Sequence, residues 1–181
     1  MQYHDYDKCH ISNYQSTFFG NTAHSTFAHV SIEKDINQTK PFISEYHKAI
    51  INIQFTHSWV VGHLKSVMAE YDITPHQYNI LRILRGSKNP ISILNIKERM
   101  LDQQSDASRL VERLVIKGLV HKHISNKDRR LVDITISDEG LRLLQTADSL
   151  NDDLLKIFSN ITVKEAEKLN KLLDKFRDSQ D

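Results

Sequence analysis

The apolar positions of the chain recur mainly at the three- and four-residue steps of amphipathic helices. A long helix is predicted from about Pro41 to Tyr71, with Pro41 in its first turn. The segment Thr74–Gln77 (TPHQ) predicts a second helix, because it combines an N-cap threonine, a proline at the first helical position and a capping-box glutamine. Gly86 is expected to lie just beyond the end of that helix.

A third helix is predicted to be opened by Pro90 and Ser92 and to run through Met100. A short turn at residues 101–104 then leads to a fourth helix, which Ser105 is expected to cap. At about 100° per residue, this fourth helix has two distinct faces. The apolar face consists of Ala107, Leu110, Val111, Leu114 and Val115, and the polar face of Ser105, Ser108, Arg109, Glu112 and Arg113. Two helices joined by so short a turn, the second with a polar and basic outer face, predict a helix-turn-helix.

Beyond the fourth helix the pattern changes from helical to alternating. Val120–Ile124 and Leu131–Ile136 are predicted to be the two strands of a β-hairpin. The turn between them carries three basic residues, Lys127, Arg129 and Arg130. A helix-turn-helix followed by such a hairpin is a winged helix.

The last third of the chain returns to helical patterning. Ser137 is a predicted N-cap followed by two acidic residues, and Thr162 begins a second capping box with Glu165. The apolar positions of these helices are Leu141, Leu144, Ala147, Leu150, Leu154, Phe158, Ala166, Leu169, Leu172, Leu173 and Phe176. Such stripes are long for a small winged helix, so they are expected to bury apolar surface against a second copy of the chain.

The predicted fold is mainly α with a small β-hairpin wing, a winged helix-turn-helix joined to an α-helical dimerisation region. Within residues 41–181, the winged helix occupies residues 74–136 and the dimerisation helices occupy residues 41–72 and 137–178. Residues 1–40 form an N-terminal extension that is expected to be poorly ordered, because residues 1–29 show neither a helical nor a strand period.

The net charge of +1 conceals an uneven distribution of charge along the chain. Residues 75–136 hold twelve Lys and Arg against six Asp and Glu, whereas the segments on either side are acidic. Such a confined positive region is expected where a protein contacts a polyanion. The single cysteine, Cys9, excludes an intramolecular disulfide, and no apolar run is long enough for a bilayer, so a cytoplasmic protein with no membrane partner is expected.

The polar face of the fourth helix carries hydroxyl and guanidinium donors, which suit base edges and phosphates. A solvated surface helix with no binding role shows the same pattern and is more frequent. The role of Glu112 on this face has two interpretations. Its carboxylate can accept from a cytosine amine, or it can orient Arg109 and Arg113 by ion pairing, which the rule for near neighbours on a helix favours.

Between about Ser44 and Arg177, the chain resembles the MarR family of bacterial transcription regulators. The specific part of the resemblance is SDASRLVERLVIKGLV at residues 105–120, Asp128-Arg129-Arg130 in the wing, and DITISDEG at residues 133–140. The resemblance implies a homodimer whose terminal helices form the interface and whose two winged helices bind a pseudo-palindromic operator on double-stranded DNA. It also implies repression that a small-molecule effector relieves.

Carried over to the matching positions, the resemblance implies DNA contacts from the recognition helix by Ser105, Ser108, Arg109 and Arg113. It implies that Arg130 enters the minor groove, that Asp128 orients Arg130, and that Lys127 and Arg129 contact phosphates. Trp59, His63 and Tyr78 are the candidate effector pocket, and they are equally plausible as core residues.

No metal or cofactor is expected, because the histidines match no ligand spacing and Cys9 lies far from the position used by thiol-sensing relatives. An enzymatic function is the least favoured of the function classes, since the sequence shows no nucleophile–base pair, phosphate loop or metal triad at a recognisable spacing. The alternative to a DNA-binding regulator is a winged-helix protein-interaction module, and the basic wing tip argues against it.

Overall fold

The structure is a computed structural model that describes residues 30–124, 132–148 and 159–178. The elements in chain order are α1 (Ile32–Asp35), α2 (Glu45–Ala69), α3 (Pro75–Arg85), β1 (Ile91–Ser92), α4 (Ile93–Arg99), α5 (Ala107–Ile116), β2 (Val120–Ile124), β3 (Val132–Ile136), α6 (Asp138–Asp148) and α7 (Val163–Arg177). These residues fall into two compact units that divide after Asn52, within α2. The mainly helical architecture with a small antiparallel sheet confirms the predicted fold class.

The first unit contains α1 and the beginning of α2. The prediction that Pro41 lies in the first turn of α2 is wrong, because the helix begins at Glu45. Ser44 accounts for the later start, since its hydroxyl accepts a hydrogen bond from the backbone N–H of His47 at 3.2 Å and its carbonyl accepts from that of Lys48 at 3.0 Å. Pro41 therefore precedes the helix.

The sequence did not predict α1, a single turn within the N-terminal extension. An ion pair joins it to α2, with Lys48 Nζ 2.5 Å from Glu33 Oε1. The lysine ammonium holds the pKa of the Glu33 carboxyl below its usual value.

The second unit is built on α3, whose start agrees with the prediction. Both bonds of the capping box are present: the Gln77 N–H donates to Thr74 Oγ1 at 3.2 Å, and the Thr74 N–H donates to Gln77 Oε1 at 3.0 Å. The buried core of this unit consists of Met68, Ile73, Tyr78, Ile80, Leu81, Ile83, Leu84, Ile96, Met100, Ala107, Val111, Leu114, Leu119, Val120, Ile134, Leu144 and Ala147.

The sheet has three antiparallel strands in the order β1-β3-β2. The predicted hairpin is present, with Val120 opposite Ile136 and Ile124 opposite Val132. Strand β1 was not predicted, because its two residues are too few to show alternation. It pairs Ile91 with Ile134, so the sheet also holds the segment that leads into α4.

The C-terminal helices differ in how much apolar surface they bury. Helix α6 buries Leu144 and Ala147, whereas α7 buries none of its residues within the described part of the chain. The capping box at the start of α7 is confirmed, with the Glu165 N–H donating to Thr162 Oγ1 at 3.3 Å. The predicted apolar positions Leu150, Leu154 and Phe158 lie outside the described residues. None of the described helices combines the length and the apolar character needed to cross a bilayer.

A tight junction joins the start of α6 to the segment that follows α5. The Ser137 hydroxyl donates to the carbonyl oxygen of Gly118 at 2.7 Å and accepts from the N–H of Gly140 at 3.0 Å, which confirms Ser137 as the cap of α6. A Cβ at Gly140 would collide with the carbonyl oxygen of Leu119 and lie 2.8 Å from Cγ1 of Ile136. Only glycine allows this approach of α6 to the backbone.

Gly140→Ala is therefore expected to lower the free energy of unfolding by about 1–3 kcal/mol, the usual cost of overpacking. Gly62→Ala is the matched control, because a Cβ at Gly62 meets nothing within 4 Å and alanine favours the interior of α2. The control should be neutral or more stable than the wild type. Urea unfolding of the three proteins measures both values, and equal stability of Gly140→Ala and the wild type would contradict the junction.

Candidate nucleic-acid interface

The N-terminus of α5 is capped by Asp106. Its Oδ1 accepts from the backbone N–H of Arg109 at 3.0 Å, and the helix begins at Ala107. The prediction that Ser105 caps this helix is therefore wrong by one residue. The Ser105 hydroxyl instead donates to Asp102 Oδ2 at 2.6 Å.

Asp102 organises the turn between α4 and α5. Its carboxylate also accepts from the Gln104 N–H at 3.0 Å and lies 3.1 Å from Nε2 of His76, near the start of α3. The Ser105 hydroxyl, the Gln104 N–H and His76 together hold the pKa of the Asp102 carboxyl below its usual value. A second bond, from the Leu101 N–H to Asn79 Oδ1 at 3.1 Å, also ties the turn to α3.

The two faces of α5 agree with the sequence pattern. Ala107, Val111 and Leu114 are buried, and Leu110 and Val115 are partly buried. The opposite face is exposed and consists of Ser108, Arg109, Glu112 and Arg113. Ser105 precedes the helix and is half-buried, so it lies at the edge of this face. The structure thus brings the four predicted recognition residues, Ser105, Ser108, Arg109 and Arg113, onto one side of the molecule.

Glu112 has a partner that the sequence did not predict. Its Oε1 accepts a hydrogen bond from Nζ of Lys122 on β2. The favoured interpretation, an ion pair with Arg109 or Arg113, is therefore wrong. Spacing along a helix cannot reveal a partner that the hairpin brings back beside it.

The C-terminus of α5 is held by a lysine. Nζ of Lys117 donates to the carbonyl oxygen and to Oδ2 of Asp72, in the turn between α2 and α3. Asp72 has φ of 52°, in the left-handed region, and Gly118 ends the helix with φ of 69°. The C-terminus of α5 is therefore bonded to the turn between α2 and α3, and the turn before its N-terminus is bonded to α3.

Two clefts flank α5. The smaller, about 160 Å³, is lined by His76, Ser105, Asp106, Arg109, Leu110 and Arg113. The larger, about 490 Å³, lies between α4 and the start of α5 and is lined by Ile93, Leu94, Lys97, Gln104, Ser105, Asp106, Ala107 and Ser108. Two basic residues that the sequence pattern did not indicate as DNA-binding candidates, His76 and Lys97, line these clefts. Position alone could have identified Lys97, since it lies on the first helix of the helix-turn-helix.

The wing tip, with Lys127, Asp128, Arg129 and Arg130, lies outside the described residues. The two strands that lead to it are described as far as Ile124 and from Val132.

The three candidate effector residues lie on two helices. Trp59 and His63 are neighbours on α2, with ring centroids 4.3 Å apart and His63 Nδ1 2.9 Å from the Trp59 carbonyl oxygen. Tyr78 lies on α3, buried in the core, with Arg82 over its ring at 5.8 Å. Among the described residues its hydroxyl has no hydrogen-bond partner, and burial raises the pKa of this hydroxyl.

A helix-turn-helix with an exposed polar second helix, followed by an antiparallel hairpin, defines the winged helix-turn-helix class of DNA-binding domains. Residues 71–131, from the end of α2 into the wing, match the sequence model of the MarR family. Over these residues the chain is similar to the MarR family of transcription regulators.

Relatives and solved structures agree with this assignment. The chain is 31% identical over 99 residues to the HTH-type transcriptional regulator TcaR of Staphylococcus aureus, an alignment that covers 54% of this chain and 64% of TcaR. It is 25% identical to wild-type MarR from E. coli in the apo form, with a TM-score of 0.58, covering 69% of this chain and 93% of MarR. A MarR mutant complexed with operator DNA shares the fold, with 22% identity, a TM-score of 0.67, and coverage of 76% of this chain and 99% of the mutant.

The bonds of Asp102 predict a pH-dependent contribution to stability. The folded protein lowers the pKa of this carboxyl below 3.8, its value in the unfolded chain. The stabilisation is therefore present above pH 3.8 and is lost as the pH falls through the lower pKa of the folded protein. Asp102→Asn is therefore expected to unfold at lower urea concentration than the wild type near neutral pH, and the difference should shrink below pH 3.8.

Asp106→Asn is the control, since asparagine caps helices as well as aspartate does. Urea midpoints across the acidic range measure the effect. A difference between Asp102→Asn and wild type that stays constant through this range would show that the charge of Asp102 does not stabilise the turn.

Proposed function

We propose that the protein is a cytoplasmic homodimer that binds a pseudo-palindromic operator on double-stranded DNA and represses transcription. The observation that carries the proposal is the exposed face of α5, where hydroxyl and guanidinium groups stand together on a helix that is capped at its start by Asp106 and bonded at its end through Lys117 to Asp72. A rigid helix with such a face suits the major groove, where bidentate arginine contacts discriminate guanine from other bases.

The roles of individual residues follow from their positions. Ser105, Ser108, Arg109 and Arg113 read the major groove from α5 and its N-terminal edge. Arg130 enters the minor groove with Asp128 orienting it, and Lys127 and Arg129 bind phosphates. The MarR mutant complexed with operator DNA supports this arrangement, because it shares the fold. The positive charge of residues 75–136 also supports it, since phosphate neutralisation supplies most non-specific affinity.

The homodimer is proposed from apolar surface that is exposed on the described part of a single chain. On α7, Leu169, Leu172 and Phe176 are 43%, 55% and 57% exposed, respectively. These residues recur at helical steps, so they form one stripe along the helix. A second copy of the chain is the proposed partner, with dimerisation helices at residues 41–72 and 137–178, and symmetric pairing would place two recognition helices on the two halves of an operator.

Regulation by a small molecule is the remaining part of the proposal. The Tyr78 hydroxyl supports it, because it is buried beside the Asp148 carboxylate without a well-formed hydrogen bond, and a ligand can satisfy such a group. Trp59 and His63 offer aromatic surface on α2 for the same ligand.

DNA binding is tested by fluorescence anisotropy on a duplex from the promoter beside the gene of this protein, over a range of salt concentrations. Arg109→Ala is expected to lose about 1–3 kcal/mol of binding free energy and to relax base preference. Arg130→Ala should lose about 1 kcal/mol or more through minor-groove attraction. Lys127→Ala should weaken binding to all DNA sequences alike and reduce the slope of log affinity against log salt concentration by about one unit.

Lys168→Ala, an exposed lysine on α7, is the control and should bind like the wild type. Salt-insensitive binding, or none at micromolar protein, would exclude the proposed function and favour a protein-interaction module. Wild-type affinity of Arg130→Ala would refute the assignment of the wing alone.

Dimerisation is tested by light scattering coupled to size-exclusion chromatography. The double variant Leu172→Glu, Phe176→Glu is expected to be monomeric at micromolar concentration, because it places two carboxylates in an apolar interface. Lys171→Glu changes the charge of a neighbouring exposed position and should remain dimeric. A monomeric wild type would contradict the homodimer.

A further inference from the structure

We propose that Lys122 is a positioning residue for DNA recognition: it holds Glu112 away from the DNA and joins the wing to the recognition helix. The inference rests on the proposed function and adds a residue to it. A lysine in the basic segment would ordinarily be counted as a phosphate contact, and the structure gives it a different role.

The register of the hairpin explains where Lys122 lies. Side chains alternate along β2, so Lys122 shares a face with Val120, which is buried, and stands opposite Ile134, which has no exposed surface. This inner face is the one that packs on the core. The side chain of Lys122 is 33% exposed, so part of its aliphatic stem is covered. His121 and His123 occupy the outer face of the strand.

Glu112 needs such a partner because of its surroundings. It is the only acidic residue of α5 and stands on the exposed face between Arg109 and Arg113. Unpaired, its carboxylate would repel the phosphates of a bound duplex and compete for the donors of the two arginines. Lys122 donates to Oε1 of Glu112, and within the described part of the chain neither arginine has an ion-pair partner. The guanidinium groups thus remain available to the DNA.

The same contact links two DNA-binding elements that have separate positions in the chain. Glu112 belongs to the middle of α5, and Lys122 lies two residues before the end of the described part of β2. A bond between them restrains the angle between the recognition helix and the wing. That angle decides whether major-groove and minor-groove contacts can form on one site at the same time.

A double-mutant cycle tests the proposal: wild type, Lys122→Met, Glu112→Gln and the double variant, bound to the promoter duplex over a range of salt. Lys122→Met is expected to weaken binding by at least about fivefold, because it leaves the carboxylate unpaired beside DNA. In the double variant this loss should disappear, so that its affinity lies within about twofold of that of Glu112→Gln. The salt slope of Lys122→Met should equal that of the wild type, because no phosphate contact is lost.

Two results would overturn the proposal. One is additivity of the two substitutions, which shows that the pair has no role in binding. The other is a salt slope of Lys122→Met that falls by about 0.9, which identifies Lys122 as a phosphate contact. The exposed pair Glu139–Arg142 on α6 provides a matched control, in which Arg142→Met and Glu139→Gln should leave operator affinity unchanged.

Hydrogen exchange of the free protein separates failure of this inference from failure of the proposed function. Lys122→Met removes the ion pair with Glu112, and backbone amides in β2 and β3 are then expected to exchange up to about fivefold faster. This factor corresponds to the free energy that an exposed ion pair contributes. If the wild type binds no DNA, the proposed function fails, and the recognition role of Lys122 fails with it. Unchanged exchange alongside normal DNA binding by the wild type refutes the link between wing and helix.

Discussion

The structure depends on the contacts that hold α5 in place, because this helix packs on the core with only half of its surface. Helix α5 buries Ala107, Val111 and Leu114 and leaves the opposite face to solvent. Its orientation is therefore set by one row of apolar contacts, which resists sliding less well than burial on all sides does. Polar contacts supply the remaining restraint: Asp106 at the start of the helix, Glu112 in the middle and Lys117 at the end.

These three contacts differ in what they join. The Asp106 cap is local and satisfies a free N–H of α5 itself. The bonds of Glu112 and Lys117 reach other elements, the hairpin and the turn after α2, so they fix α5 relative to its surroundings. The Asp102 cluster adds a connection between the preceding turn and α3. A helix restrained in this way can present Arg109 and Arg113 with little loss of conformational entropy on binding.

Structural features that depend on residues a few positions apart could be predicted from the sequence. Contacts between segments that are distant in the chain could not. The capping boxes at Thr74 and Thr162 require residues three positions apart, so the sequence shows them directly. The apolar face of α5 could be predicted for the same reason. The partner of Glu112 could not, because Lys122 comes beside it only when the hairpin folds back. Strand β1 could not be predicted because two residues show no period. The cap of α5 was predicted one residue too early because serine and aspartate, which stand next to each other here, are equally good N-caps.

The contact of Lys117 with Asp72 connects the ends of two helices of the second unit. Asp72 follows the last turn of α2, and Lys117 follows the last turn of α5. A displacement of the turn after α2 would therefore act on the C-terminus of α5 through the Lys117 side chain as well as through the shared core. A change of shape that begins in α2 would in this way reach the exposed row of Ser108, Arg109 and Arg113.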